Sequence, residues 1–464
     1  MGTLSAATSG RTGWFYSFLL ANMTNGGTAP LIPLFLVVAF SGTLLQVGVI
    51  TAATSVASIP AFIIWGNLSD HLHRRKLFIV EGFAGLFVSM AIMWMSVNFA
   101  MFFVANFLLG LLYSASAPAG TALLIEQTPK EQWVSHLGRF SRLGGAGYLL
   151  GLIAGALWFY VLPSTPFDMR TFFLFSTVVA LSGAIVAFLL VDEKRAGTGN
   201  AGSRKENQWN AIAGVPLHIT ERAKYLPSRI GAVIRLATPS SQERSEISGR
   251  LWLYYLVTIL FSTGFTAFYA VFPNYLADYL GRKFSIAESL IFLVYIGSSL
   301  GSTLTYSRVS YMSRSMGEKR LQSIAASVRV LLIPSFFFVP LLLHSSAEVV
   351  VSMVVLNSIM GFCWAIISVT GQSMVARMAG PHIKGEAIGL YNSSTGTGAI
   401  MGALMGGLVT QNFGYMSDFI CSSVFVLSGI SVLAAVRAAA DAPSAAPSGK
   451  AKHRIVNWSR IFTK

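Results

Sequence analysis

The chain has 464 residues, of which 54% are apolar and only 11% charged, with a mean hydropathy of +0.63. That is too little charge to cover the surface of a soluble protein of this size, whereas the charge-free runs match the roughly 20 residues a helix needs to cross a bilayer. The formal net charge of +15 does not indicate a nucleic-acid partner, because the basic residues flank the apolar runs instead of forming one patch.

The pattern predicts an all-α membrane protein of twelve transmembrane helices. In chain order the apolar runs fall near 14–40, 43–65, 77–97, 99–125, 137–161, 171–191, 251–277, 285–307, 321–343, 348–376, 383–410 and 416–437. The first follows a polar start containing only Arg11. It is too long for a signal-peptide core and ends without a small-residue cleavage site, so it reads as a retained helix. The expected organisation is a six-helix bundle over 1–191, a cytoplasmic linker over 192–250, a second six-helix bundle over 251–437 and a tail over 438–464.

Lys and Arg divide unevenly between the two sets of loops. One side collects 29 of them, the other only Arg170, Arg282 and Lys283, and Arg329 falls inside the ninth run. The positive-inside rule then places both termini in the cytoplasm of a multi-pass plasma-membrane protein. The opposite loops, such as Ser41–Gly42, Asn98 and Ser345–Ala347, are near-minimal turns. Within the linker, Gly197, Gly199, Gly202 and Ser203 suit a flexible coil. The stretch Tyr225–Leu236 interleaves Arg229 and Arg235 with aliphatic residues. It fits either a helix lying on anionic lipid or a solvated linker.

Six runs, a long loop and six more runs suggest duplication. A gapless self-match appears at an offset of 251: Val104, Asn106, Gly110, Gly120 and Gly138 fall on Val355, Asn357, Gly361, Gly371 and Gly389. Further on, Gly145, Gly147, Gly151, Gly155 and Leu157 fall on Gly396, Gly398, Gly402, Gly406 and Leu408. Seven of the eight glycines in 104–157 land on glycine, where chance would give roughly one or two. Parallel six-helix repeats are a secondary-transporter architecture with the solute site between the halves near mid-membrane.

After the second run comes Gly66-Asn67-Leu68-Ser69-Asp70-His71-Leu72-His73-Arg74-Arg75-Lys76. A glycine there lets another helix pack close, a carboxylate can cap a neighbouring helix N-terminus, and the basic triplet sits at the anionic leaflet. The segment resembles the cytoplasmic loop signature of the major facilitator superfamily, matching at Gly66, Asp70, Arg74 and Arg75. His71 stands where a basic residue is usual and His73 where a second glycine is. The resemblance, which extends over nearly the whole chain, implies two rocking six-helix bundles, with Asp70 latching the inner gate against the eleventh span. A charged turn obeying the positive-inside rule is the plainer reading. In the second half the corresponding segment is Ser310–Arg320, where Arg314 takes the place of the aspartate, so that half is expected to lack the latch.

The fifth run contains Gly147, Gly151 and Gly155, repeated in the eleventh as Gly398, Gly402 and Gly406. A spacing of four puts each set on one helix face, allowing close backbone approach. The set resembles the superfamily's exporter-associated motif, with Leu152 in place of its proline and Ala156 in place of its last glycine. Helix packing and a transport-direction signal both remain open readings. Many proton-coupled members carry an arginine in the fourth span four residues before a glycine. Here Asn106 precedes Gly110, so a relay of that kind is not implied. The run centres hold almost no acids, with Glu81, Glu126 and Glu288 near run ends.

Candidate solute-cavity residues are Asn22 and Asn25 in a first run interrupted by Gly26, Gly27, Pro30 and Pro33, with Tyr269 and Asn274 in the seventh. Asn106, Tyr113, Asn357, Trp364, Gln372, Tyr391 and Asn392 add polar or aromatic groups in runs four, ten and eleven. Such a set suits a neutral or amphipathic solute, or interhelical hydrogen bonding. Arg139 and Arg142 share a face at the start of the fifth run; Arg142 suits the inner gate or snorkelling to headgroups.

No catalytic grouping, phosphate-binding loop or HExxH occurs, and Cys363 and Cys421 have no metal spacing, so no enzyme activity, ATP drive, cofactor or metal is expected. The reading is a monomeric secondary transporter moving a small organic solute by alternating access, inclined to proton-coupled efflux of hydrophobic or amphipathic compounds. An uptake permease or facilitator for a neutral metabolite is the alternative, and a transport-inactive sensor or scaffold the alternative of another class.

Overall fold

The computed structural model describes residues 13–72, 74–127, 133–162, 165–192, 249–284, 288–379 and 384–436. Among these every regular element is helical and no strand occurs. The linker with its Tyr225–Leu236 segment, and the tail, lie outside the described residues.

Span one is Phe15–Thr28 followed by Leu31–Phe40, bent by 44° between them. Pro30 has no N–H to donate and its ring crowds the preceding turn, so the helix breaks there; the last bond before it runs from the Ala29 N–H to the Asn25 carbonyl at 2.9 Å. Spans two and three are Leu44–Leu72 and Arg75–Met95. Span four is Phe99–Tyr113 with Ser116–Gln127, and spans five and six are Trp133–Val161 and Pro166–Leu190. Span seven, Gly249–Asn274, runs on through a wide turn at Tyr275–Leu280. Spans eight, nine and ten are Glu288–Met316, Glu318–Phe338 and Ser346–Met378.

The last helix runs from Lys384 to Ala435, 52 residues, more than twice what a bilayer needs. Gly414 divides it: φ is 82° and ψ 170°, a conformation open to glycine because it lacks Cβ. The two pieces are spans eleven and twelve, which completes the expected twelve. Side chains such as Leu157, Phe188 and Leu331 are exposed on their outer faces. Water would penalise that surface, and lipid tails accept it.

Span five packs on span one, and spans three and two both pack on span four. In the second half eleven packs on seven, eight on ten, and nine on ten and twelve. The halves meet where span two touches eleven, five touches eight, and the outer segment of span one touches seven.

One end of the bundle carries the short turns at 41–43, 96–98 and Gly414; the other carries Arg74–Lys76 and Arg314–Arg320. At the short-turn end the halves are tied together. The Leu45 N–H donates to the Gln411 side-chain oxygen at 3.0 Å, and Asn274 Nδ2 donates to the Pro33 carbonyl at 3.1 Å. Toward the basic end, Arg142, Ala146 and Asn392 are exposed instead.

Candidate functional site

A cavity of about 510 Å³ lies on the seam between the halves. The first half supplies Pro33 beside the break of span one, Thr51 and Thr54 of span two, and Asn106 of span four. The second half supplies Phe265 and Tyr269 of span seven, Ser298 of span eight, Arg329 of span nine and Trp364 of span ten. Walls that are mainly apolar with a few convergent polar groups, at this volume, match a small organic ligand.

The neutral polar groups of the first-half wall are already engaged. Thr51 Oγ1 donates to the Val47 carbonyl at 3.0 Å and Thr54 Oγ1 to the Asn106 carbonyl at 3.3 Å. Asn106 is 1% exposed and its amide donates to the Phe102 carbonyl at 2.8 Å. On the second-half wall the Tyr269 hydroxyl donates to Asn357 Oδ1 at 3.1 Å, while Asn357 Nδ2 holds the Val294 carbonyl of span eight at 2.9 Å. Asn357 therefore fixes Tyr269 from behind and ties span ten to span eight.

The sequence candidates thus separate. Asn106, Tyr269 and Trp364 line the cavity. Asn357 stands behind its wall, and Asn274 is buried in the closure at the short-turn end. Asn22 caps back onto the Phe18 carbonyl of its own helix at 2.8 Å. Asn25 faces Tyr113 across spans one and four, and Tyr113 stacks on Phe83. Gln372 and Asn392 are exposed nearer the basic end.

Gly66 and Asp70 lie in the last turns of span two, but their side chains fall outside the described residues, as does that of Glu126. Arg74 is exposed, Arg75 donates to Ser69 Oγ at 2.7 Å, and Arg142 is exposed at the start of span five.

The repeated glycines make parallel contacts. A Cβ on Gly147 or Gly151 would collide with the Leu19 or Met23 carbonyl of span one. One on Gly398, Gly402 or Gly406 would collide with the Ile259, Thr263 or Ala267 carbonyl of span seven. Gly155 differs: it faces the Phe292 ring of span eight, across the seam.

Two ionisable side chains escaped the sequence reading as site residues. Arg329 is 1% exposed at mid-span nine and lines the cavity; its position inside an apolar run was visible but served only the topology count. Asp418 is fully buried near the start of span twelve, and neither of its oxygens has a hydrogen-bond partner among the described residues. The signal for both was the same, an ionisable residue where the bilayer disfavours one.

Comparison with known proteins places this geometry. The sequence profile of the Major Facilitator Superfamily matches residues 14–368 and again 254–464. The multidrug resistance protein MdtG of Escherichia fergusonii is 23% identical over 405 residues, covering 86% of this chain and 88% of the relative. Among solved structures, a variant of the nucleoside transporter NupG superposes with a TM-score of 0.70 at 12% identity, covering 92% of this chain and 99% of that one. The human organic anion transporter MFSD10 gives a TM-score of 0.54 at 21% identity, covering 91% and 98%.

Proposed function

The chain belongs to the major facilitator superfamily, and on that premise we propose that it exports small amphipathic organic compounds by alternating access. The observation that carries the proposal is the cavity on the seam, walled by both halves and closed at the short-turn end. A site shared between two rocking halves is exposed to one side or the other as they tilt. The basic end is cytoplasmic by the charge distribution of the loops, so the present arrangement is the one that loads from the cytoplasm. The name of the relative MdtG, a multidrug resistance protein, favours export of varied compounds.

In this reading Asn106, Tyr269 and Trp364 contact the solute. Asn22, Asn25, Tyr113, Gln372 and Asn392 border its route from the cytoplasm, and Asn274 and Asn357 hold the cavity walls. Asp70, with Gly66, Arg74 and Arg75, latches the cytoplasmic gate when it closes, and Arg142 joins it there. Each of these roles is part of the proposal.

In this reading export is driven by protons, and Asp418 is the carboxyl group that exchanges them. It is buried within a span with both oxygens unpartnered among the described residues, and intramembrane carboxyl groups are the usual sites of such exchange.

The test is reconstitution into vesicles with an imposed pH step and a pH-sensitive dye on one side. Solute-dependent proton flux opposite to solute movement is expected, and Asp418→Asn abolishes it while solute exchange between equilibrated compartments persists. Solute movement without any proton flux removes the antiport element. Net inward movement under a physiological gradient replaces export by uptake.

A further inference from the structure

Arg329 sits where a charge is hardest to keep. Span nine packs against spans ten and twelve, yet its arginine reaches past span ten to the cavity on the seam. It is the largest fully buried side chain among the described residues. Two rings hold the guanidinium: its carbon lies 4.1 Å from the centroid of Phe265 on span seven and 5.7 Å from that of Trp364 on span ten. Those rings meet edge to face at 6.4 Å. One nitrogen, Nη2, donates to the Met360 carbonyl at 3.0 Å.

The remaining donors are unused. Nε and Nη1 have no partner among the described residues, and no ion pair among the described residues reaches them. An arginine does not discharge by losing its proton, and a buried charge without a counter-charge is strongly disfavoured. Ring faces attract the cation but leave its in-plane N–H groups free. Arg329 borders the cavity, and its two unmatched nitrogens are buried in this arrangement, so an anion reaches them only as the surrounding wall yields.

We propose that Arg329 is the solute-binding cation of this cavity and that the solute is an organic anion, an aromatic or apolar body carrying a carboxylate or sulfonate. The inference rests on the transporter reading and names the substrate class of the same site. The anionic group accepts a charge-assisted hydrogen bond from Nε–H or Nη1–H, which lie on different edges of the guanidinium. The body lies against Phe265, Tyr269 and Trp364. The first-half wall offers little competition for the anion, because Thr51, Thr54 and Asn106 already donate to backbone carbonyls. Recognition of charge is thereby assigned to one residue of the second half.

The experiment uses full-length protein in detergent and in vesicles, with naphthalenesulfonate and its uncharged near-isostere naphthalenesulfonamide as probes. Wild type is expected to bind the sulfonate about tenfold or more tightly over the sulfonamide, the scale of a hydrogen bond to a charged group. Arg329→Met, which keeps the stem volume, is expected to bind both equally, and Arg329→Lys to keep part of the preference. The wild-type comparison stands alone should Arg329→Met not fold. Equal binding of the two probes by wild type, or a preference kept by Arg329→Met, overturns the inference. Binding of neither probe overturns it too, because so small an aromatic anion fits the volume. Transport of an uncharged dye by the same vesicles then shows whether the transporter reading survives its loss.

Discussion

The two halves share their packing and differ in their charges. Span five lies on span one through Gly147 and Gly151, and span eleven lies on span seven through Gly398 and Gly402, each glycine opposite a backbone carbonyl. Spans three and nine are both 21 residues long. From Gly82 to Met95 span three has no ionisable residue, whereas Arg329 sits midway along span nine. The last turns of span two, before span three, carry Asp70; the last turn of span eight, before span nine, carries Arg314. Backbone approach demands glycine at fixed spacing whatever passes through the cavity. Charges on a cavity wall or a gate answer to function, so the halves were free to diverge there.

The largest expected effect comes from breaking the shared part. Gly151→Val or Gly402→Val forces a side chain into a carbonyl of the partner span, an overpacking cost of about 1–3 kcal/mol or more. Both variants are expected to lose most monodisperse protein on size-exclusion chromatography, to a similar extent. A large disparity between them breaks the symmetry of the packing.

Gly155→Ala tests the contact across the seam. Its methyl group meets the Phe292 ring only while the short-turn end is closed, so the protein is expected to fold but to shift toward opening at that end. Thr51→Cys on the cavity wall, in a background lacking Cys363 and Cys421, reports this through labelling by a membrane-impermeant maleimide. Labelling from the short-turn side is expected to rise about tenfold, from a penalty of roughly 1–2 kcal/mol. Unchanged labelling removes Gly155 from the closure.

Asn274→Leu acts on the same equilibrium more weakly. It removes the hydrogen bond to the Pro33 carbonyl, worth about 1 kcal/mol, or roughly fivefold in the same labelling assay. The smallest effects concern two helix caps, one in each half at non-equivalent spans. Thr165 with Asp168 opens span six, and Ser345 with Glu348 opens span ten, each as a reciprocal cap. Thr165→Val and Ser345→Ala are each expected to lower thermal stability by about 1 kcal/mol without moving the labelling.

Much of the fold was legible in the chain. Hydropathy marked the spans, and the glycine repeat marked which helix of one half matches which of the other. Pro30 marked the bend in span one. The break between spans eleven and twelve was legible as the gap between the runs 383–410 and 416–437, and the structure adds that Gly414 makes the turn through a positive φ. The site was less legible. Asn106, Tyr269 and Trp364 stood out as polar or aromatic groups in apolar runs, and they do line the cavity. Asn274 and Asn357 looked the same in sequence and instead satisfy carbonyls between helices.

What the sequence determined by itself is therefore periodic or additive: apolar length, charge asymmetry between loops, and glycine at intervals of four. A bilayer reads these properties one helix at a time, so no knowledge of neighbours is needed. What only the tertiary structure decided is which side chains face one another. Arg329 looks like any intramembrane arginine until Phe265 and Trp364 are seen to flank it and two of its nitrogens to lack partners. The electrostatic worth of a charge depends on the atoms around it, and those atoms come from spans far apart in the chain.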